Sequence, residues 1–171
     1  MPKAIRPALL KKIKAKPFRA KVYRIIARHY QHQPLSQERS LSYGGRYNPP
    51  YQFGALYCGL SEEICWLEIE KRHEGPLKRS RFKLIPIRLH LQKVLDLTDS
   101  RIRTELNIKF KSLIHPTDYS VTQKIARLAR EAGFEGILAP SSSESGSILA
   151  IFMDRLLPQS KVRVRRSRRA H

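Results

Sequence analysis

Residues 44–68 read GGRYNPPYQFGALYCGLSEEICWLE, and this stretch decides the prediction of the fold. Its glycines and prolines indicate turns, whereas residues 55–58 are apolar enough for a short strand. Ser61 has the character of a helix N-cap, because two glutamates follow it in the first turn, where the helix dipole favours anions. The helix is expected to end near Arg72. The stretch therefore predicts a loop, a strand and a helix in close succession.

The remainder of the chain mixes strand and helix patterns. Residues 82–91 alternate between apolar and polar side chains, as a half-buried strand requires. Residues 119–132 carry apolar side chains at helical spacing and precede Gly133, a common helix stop. Further strands are predicted at 22–26, 134–139 and 148–153, and a short helix at 101–106. Because strands and helices do not follow a strict βαβ order, the pattern favours a single α+β domain with mixed or antiparallel sheets flanked by helices.

The 171 residues carry a formal net charge of +20, and much of it lies at the two ends. We therefore predict a basic N-terminal arm (1–19), a folded domain (20–157) and a basic C-terminal tail (158–171). Such segments are usually solvated, and their cations suit nucleic acid or an acidic partner. No apolar run approaches the roughly 20 residues that span a bilayer, and no signal-peptide pattern is present. A cytoplasmic protein without a membrane partner is expected.

Two cysteines, Cys58 and Cys65, are too few and too isolated for a disulfide framework or a zinc site. We expect two reduced, partly buried thiols. His29 and His32 lie about one helical turn apart but have no Cys or acidic neighbour, so no metal site is predicted.

Glu68 is the most informative single residue, since it lies in the apolar segment ICWLEI of the predicted helix. A carboxylate on a buried face costs several kcal/mol unless it is paired or hydrogen-bonded. Two interpretations stay open on spacing alone: a structural Glu paired with a buried Arg, or a functional carboxylate.

The segment GGRYN at 44–48 is a second candidate. Two glycines allow a tight turn or a close approach to a ligand, and Arg46 offers a planar fork suited to phosphate. A surface turn with a solvated Arg is the alternative. The segment is not a phosphate-binding P-loop, because no helix opens on it and no Lys-Ser/Thr pair follows.

Several short segments together resemble the RES domain family, which is named for its Arg, Glu and Ser motifs. They are Tyr23-Arg24, GGRYN at 44–48, ALY at 55–57, the pair Ser61 and Glu68, and GILAPS at 136–141. The resemblance covers about residues 20–157. This chain has GRYN where GRWN is common in the family, and it lacks the Asn that many members carry after the residue matching Ser141.

The resemblance implies a fold similar to that of ADP-ribosyltransferases and an enzyme that degrades NAD by cleaving the nicotinamide–ribose bond. NAD would be the substrate, and no cofactor is expected. RES proteins are typically toxins of toxin–antitoxin pairs, so a cognate antitoxin, small, helical and Xre-like, is the expected partner. The implied catalytic residues are Glu68, Arg24 and Ser141, and the implied substrate-binding residues are Arg46, Tyr57, Tyr47 and Asn48.

Two other functions remain open at this point. One is transfer of ADP-ribose to a protein or to RNA, with the basic ends as a docking surface. The other is a nucleic-acid-binding module without catalysis, which the net charge favours. Against the second alternative, the folded domain has few clustered aromatic residues for base stacking and no recognisable motif for reading nucleic-acid bases.

Overall fold

The long strands of the fold coincide with segments in which apolar and polar residues alternate. The computed structural model describes residues 4–143 and 145–166. Within these residues, the helices and strands in chain order are α1 (Pro7–Lys12), β1 (Lys16–Ala27), α2 (Glu38–Tyr43), β2 (Leu56–Gly59), α3 (Glu62–Arg72), β3 (Phe82–Asp96), α4 (Ser100–Glu105), α5 (Phe110–Leu113), α6 (Ser120–Glu131), β4 (Gly136–Pro140), β5 (Ser147–Ile151) and β6 (Lys161–Val164). None of these helices is both long and apolar enough to cross a lipid bilayer.

The strands form a mixed sheet that bends back on itself. Strand β3 pairs antiparallel with β1 on one side and with β6 on the other, and its last residues pair parallel with β4. Strand β5 pairs antiparallel with both β2 and β4, and β2 meets β1 at the pair Tyr23 and Gly59. The structure confirms the predicted α+β class with mixed and antiparallel pairing.

Two hydrophobic cores lie on opposite faces of strand β5. Ile148 and Ala150 contact the first core, into which α4, α5 and α6 pack. Leu149 and Ile151 contact the second core, which β1 and β3 cover. Because both faces of β5 are buried, its sequence is a continuous apolar run rather than an alternating one.

The two basic ends differ from the predicted arm and tail, because both contribute to the fold. Leu10 of α1 is fully buried, and strand β1 already begins at Lys16. Strand β6 lies beyond the predicted boundary at 157 and pairs with β3. The apolar residues interspersed among the cations explain the difference, since each can pack on a core while its charged neighbours stay in water. Residues 1–3 and 167–171 of the predicted ends lie outside the described residues.

The region that positions the site follows the sequence prediction closely. Ser61 caps α3, and its hydroxyl accepts a hydrogen bond from the Ile64 amide at 3.2 Å. The strand predicted at 55–58 is β2, shifted by one residue. Helix α2 was not expected, because residues 31–54 are polar and rich in turn formers.

Candidate active site

Glu68 of α3 faces the loop that begins where β4 ends. Its Oε1 accepts hydrogen bonds from the Ser141 hydroxyl and, at 3.1 Å, from the Ser142 amide. Only 13% of the Glu68 side chain is exposed. The loop is itself held closed, because the Ser141 amide donates to the Gly146 carbonyl at 3.0 Å. The structure thus brings together two of the predicted catalytic residues.

Arg72, one turn after Glu68 on α3, forms an ion pair with Glu68 Oε2 at 3.4 Å. Burial raises the pKa of Glu68, but hydrogen bonds from Ser141 and Ser142 and the charge of Arg72 lower it by more, so that it lies below its ordinary value. Glu68 is therefore a carboxylate at neutral pH. Because the Arg72 side chain is more than half exposed, Glu68 is not the structural Glu paired with a buried Arg that the sequence left open.

The segment at 44–48 forms a tight turn. The Gly45 amide donates to the Asn48 carbonyl at 2.8 Å, and Gly44 adopts φ +72°, which favours glycine. The buried Asn48 side chain donates to the carbonyls of Ser40 and Phe53 at 2.7 and 3.0 Å. Because the Asn48 side chain already has hydrogen-bond partners in the protein, it holds the turn in position.

Tyr57 of β2 ties this turn to the sheet. Its hydroxyl donates to Asn48 Oδ1 at 2.7 Å and accepts from the Tyr47 amide at 2.9 Å. A Cβ at Gly45 would lie only 2.6 Å from the Tyr57 hydroxyl oxygen, so the contact requires glycine there. Burial raises the pKa of Tyr57, while the charges of Arg72 and Arg46 lower it. The Tyr57 hydroxyl therefore joins strand β2 to the backbone next to Arg46.

Arg46 is buried, with only 6% of its surface exposed. Its Nη1 donates to the His115 carbonyl at 2.6 Å, and its guanidinium lies 4.6 Å from the centre of the Tyr119 ring. Among the described residues, no carboxylate oxygen lies within 4 Å of it. A buried guanidinium without an anionic partner is a favourable position for a ligand phosphate.

Tyr47, which follows Arg46 in the turn, packs in the first hydrophobic core. It is fully buried, and its hydroxyl has no hydrogen-bond partner within the described part of the chain. Burial raises the pKa of Tyr47; the charge of Arg46 lowers it and that of Glu68 raises it. Both charges therefore act on the same ring.

Arg24 occupies a different position. Its guanidinium donates to the carbonyls of Pro34 and Ser36 at 2.7 and 2.8 Å, and neither bond is to another predicted site residue. It lies beside Cys58, whose side chain belongs to the second core. Burial lowers the pKa of Arg24. The structure does not bring Arg24 into the Glu68 network, and its catalytic role stays a prediction.

Sequence reasoning missed the residues that support the turn from α6 and the preceding loop. Gln123 Nε2 donates to the Gly45 carbonyl at 2.9 Å, and Tyr119 stacks on Arg46. Ser142 was missed as a second donor to Glu68. Its position next to Ser141 was the one signal available in the sequence. Tyr119 and Gln123 gave none, because they lie about 75 residues away from the turn along the chain.

Across residues 4–143 and 145–166, no three His, Cys, Asp or Glu side chains are grouped so that they could hold a metal ion. The site offers an ionised, largely buried carboxylate and a buried guanidinium. Such a pair can oppose developing positive charge on a sugar ring while it holds an anionic group of the same ligand.

Known proteins are similar to this chain in sequence and in fold. The family model described as RES domain matches residues 21–169. A protein of Mycobacterium bovis named NAD(+) phosphorylase MbcT is 27% identical over 142 residues, which cover 80% of this chain and 75% of that protein. A Mycobacterium tuberculosis protein named probable NAD(+) phosphorylase Rv3189 is 35% identical over 118 residues, 66% of this chain and 55% of that protein.

The fold is also shared with a solved structure, the crystal structure of the M. tuberculosis MbcT–MbcA toxin–antitoxin complex. The TM-score is 0.80 at 23% identity, and the match covers 94% of this chain and 88% of that chain. The family match extends over most of the described fold, including every residue of the Glu68 and Arg46 groups. The chain therefore belongs to the RES domain family.

Proposed function

We propose that this chain degrades NAD by cleaving the bond between nicotinamide and ribose, and that it acts as the toxin of a toxin–antitoxin pair. The observation that carries the proposal is the Glu68 carboxylate, held by Ser141, Ser142 and Arg72 in a largely buried position. The names of the two relatives, both NAD(+) phosphorylases, support the same substrate.

The chemistry fits an oxocarbenium-like transition state. As the bond to nicotinamide breaks, positive charge develops on the ribose, and a nearby carboxylate stabilises it. Glu68 opposes this charge and accepts hydrogen bonds from the ribose hydroxyls. Its lowered pKa keeps it anionic, and the surrounding serines keep its orientation fixed.

Arg46 binds the pyrophosphate of NAD, because its buried guanidinium has no carboxylate partner among the described residues and can form charge-assisted hydrogen bonds to phosphate oxygens. Tyr57 presents its ring to the cationic nicotinamide, since aromatic faces attract cations. Tyr47 stays a predicted substrate contact: because its ring is fully buried, its hydroxyl, which has no hydrogen-bond partner among the described residues, reaches the ligand only if the turn at 44–48 opens. Ser141 hydrogen-bonds the nicotinamide ribose or the attacking acceptor.

Inorganic phosphate is the acceptor that the relatives' names favour. A phosphate oxygen bonds to the anomeric carbon of the ribose, the carbon–nitrogen bond breaks, and nicotinamide leaves as a neutral molecule. The products are then nicotinamide and a phosphorylated ADP-ribose. With water as acceptor the second product is free ADP-ribose.

The test is NAD consumption by the purified full chain, with and without phosphate, with products identified by mass spectrometry. We expect phosphate-dependent loss of NAD, no loss with Glu68→Gln, and normal loss with Glu63→Gln, an exposed acid on the same helix. Wild-type turnover by Glu68→Gln would contradict the proposal. Label from NAD retained on a macromolecule would indicate ADP-ribose transfer instead.

A small, helical, Xre-like antitoxin is the partner we propose, acting in the cytoplasm. Tyr43 and Tyr51 flank the turn at 44–48 and are 79% and 83% exposed, which supports a docking surface beside the site. Coexpression of each neighbouring reading frame should identify the one that restores growth. Tyr43→Ser with Tyr51→Asn should weaken this rescue without reducing NAD consumption; full rescue would exclude this surface.

A further inference from the structure

The outer face of strands β1, β3 and β6 is strongly basic. Along β3, Ile87 and Leu89 point into the second core, whereas Arg88 and His90 point outward. The same alternation holds on the neighbouring strands. The exposed cations of this face, named here the basic grid, are Arg19, Lys21, Arg88, Lys161, Arg163 and Arg165.

The strand register places these cations directly opposite one another. Lys21 pairs with Arg88, and Arg88 pairs with Arg163. Neighbouring strands lie about 4.8 Å apart, and like charges at opposed positions destabilise a sheet. No carboxylate of the described residues forms an ion pair with any cation of the grid. The sheet therefore carries a row of positive charges that no carboxylate neutralises and that the packing of the cores does not require.

Part of the grid lines an open groove of about 460 Å³, and an adjoining depression shares Lys21, Arg88 and Arg163 with it. The walls of both contain no acidic residue. None of the Glu68 or Arg46 site residues lines either one, so the grid is separate from the candidate active site.

We infer that the basic grid binds the phosphate backbone of a nucleic acid. Four of its six cations are arginines, whose planar fork matches phosphate oxygens. Alternate residues along a strand lie about 7 Å apart, so that successive rows can reach successive phosphates. A membrane surface fits less well, because insertion into lipid needs exposed large apolar side chains, and none of those in the described residues lines the groove.

The test measures the salt dependence of binding by the full chain, using a fluorescent 20-base-pair DNA duplex and a single-stranded RNA of equal length. Six phosphate contacts predict a slope of log K against log salt of about −5 for duplex DNA and about −4 for the single strand. The variant Lys21→Gln/Arg88→Gln/Arg163→Gln should reduce these slopes to about −3 and −2. It also removes opposed like charges, so folding should be retained.

The matched control is Lys109→Gln/Lys124→Gln/Arg127→Gln, which removes the same charge from exposed positions elsewhere. It should keep the wild-type slopes. Both triple variants should consume NAD as the wild type does, which separates this inference from the proposed function. Equal slopes for the two triple variants would overturn the inference, as would binding to anionic lipid vesicles or an acidic peptide without binding to either nucleic acid.

Discussion

Glu68 and Ser141 are 73 positions apart in the chain, yet the Ser141 hydroxyl donates a hydrogen bond to the Glu68 carboxylate. Helix α3 presents the acid, and the loop after β4 presents the serine. The serine is held in turn by Ser143, whose hydroxyl oxygen lies 2.5 Å from that of Ser141. The orientation and the ionisation of Glu68 therefore depend on a loop far away in sequence.

Substitution of Ser141 should shift the pH dependence of NAD consumption. Hydrogen bonds to the carboxylate are among the causes that lower the pKa of Glu68. Ser141→Ala removes one of them, so the pKa rises and the acidic limb of the pH–rate profile moves to higher pH. Rates measured from pH 4 to 8 test this, with the exposed Ser80→Ala as control. An acidic limb that stays in place would show that Ser141 does not set this ionisation.

The same pKa makes a prediction about stability. A carboxylate whose pKa is lower in the folded than in the unfolded state stabilises the fold above its unfolded pKa and loses that contribution as pH falls through the folded value. Wild-type protein should therefore exceed Glu68→Gln in free energy of unfolding at pH 7, and the difference should shrink below pH 4.5, the ordinary value for this group. Urea unfolding at pH 7 and at several lower pH values measures it. A difference that does not change with pH would contradict the expected ionisation.

Tyr57→Phe should destabilise the protein by about 1–3 kcal/mol, because it leaves Asn48 Oδ1 and the Tyr47 amide without their hydrogen-bond partner. Urea unfolding is the measurement. Tyr30→Phe, at a ring that is 46% exposed, is the control and should change stability little. Equal stability of Tyr57→Phe and wild type would mean that the turn at 44–48 does not rely on this hydroxyl.

Local sequence was sufficient where the deciding contacts are local. The Ser61 cap and α3 followed from the residues of a single turn, and Glu68 was conspicuous because its neighbours are apolar. The contact between Gln123 and the Gly45 carbonyl joins segments 78 positions apart, so no periodicity could indicate it. The burial of Leu10 was missed for a related reason: the surrounding lysines set the composition, whereas packing on α6 sets the structure.

The two thiols should be unreactive in the folded protein. Burial raises the pKa of Cys58 to about 12 and that of Cys65 to about 11, so almost no thiolate forms at neutral pH. An aromatic disulfide reagent at pH 8 should modify them slowly in buffer and completely in 8 M urea, as followed by absorbance. Cys58→Ala and Cys65→Ala assign the residual native rate to one thiol. Equal rates in buffer and in urea would show that neither thiol is protected.

Arg46→Lys should raise the NAD concentration needed for half-maximal rate more than it lowers stability. A lysine at this position keeps a positive charge and can still donate to the His115 carbonyl, which Arg46 contacts at 2.6 Å. It cannot contact that carbonyl and a pyrophosphate with one planar fork. Initial rates across NAD concentrations and urea unfolding are measured on the same preparation, with the exposed Arg127→Lys as control. An unchanged half-saturating concentration would remove Arg46 from the phosphate site and leave it a purely structural contact of Tyr119.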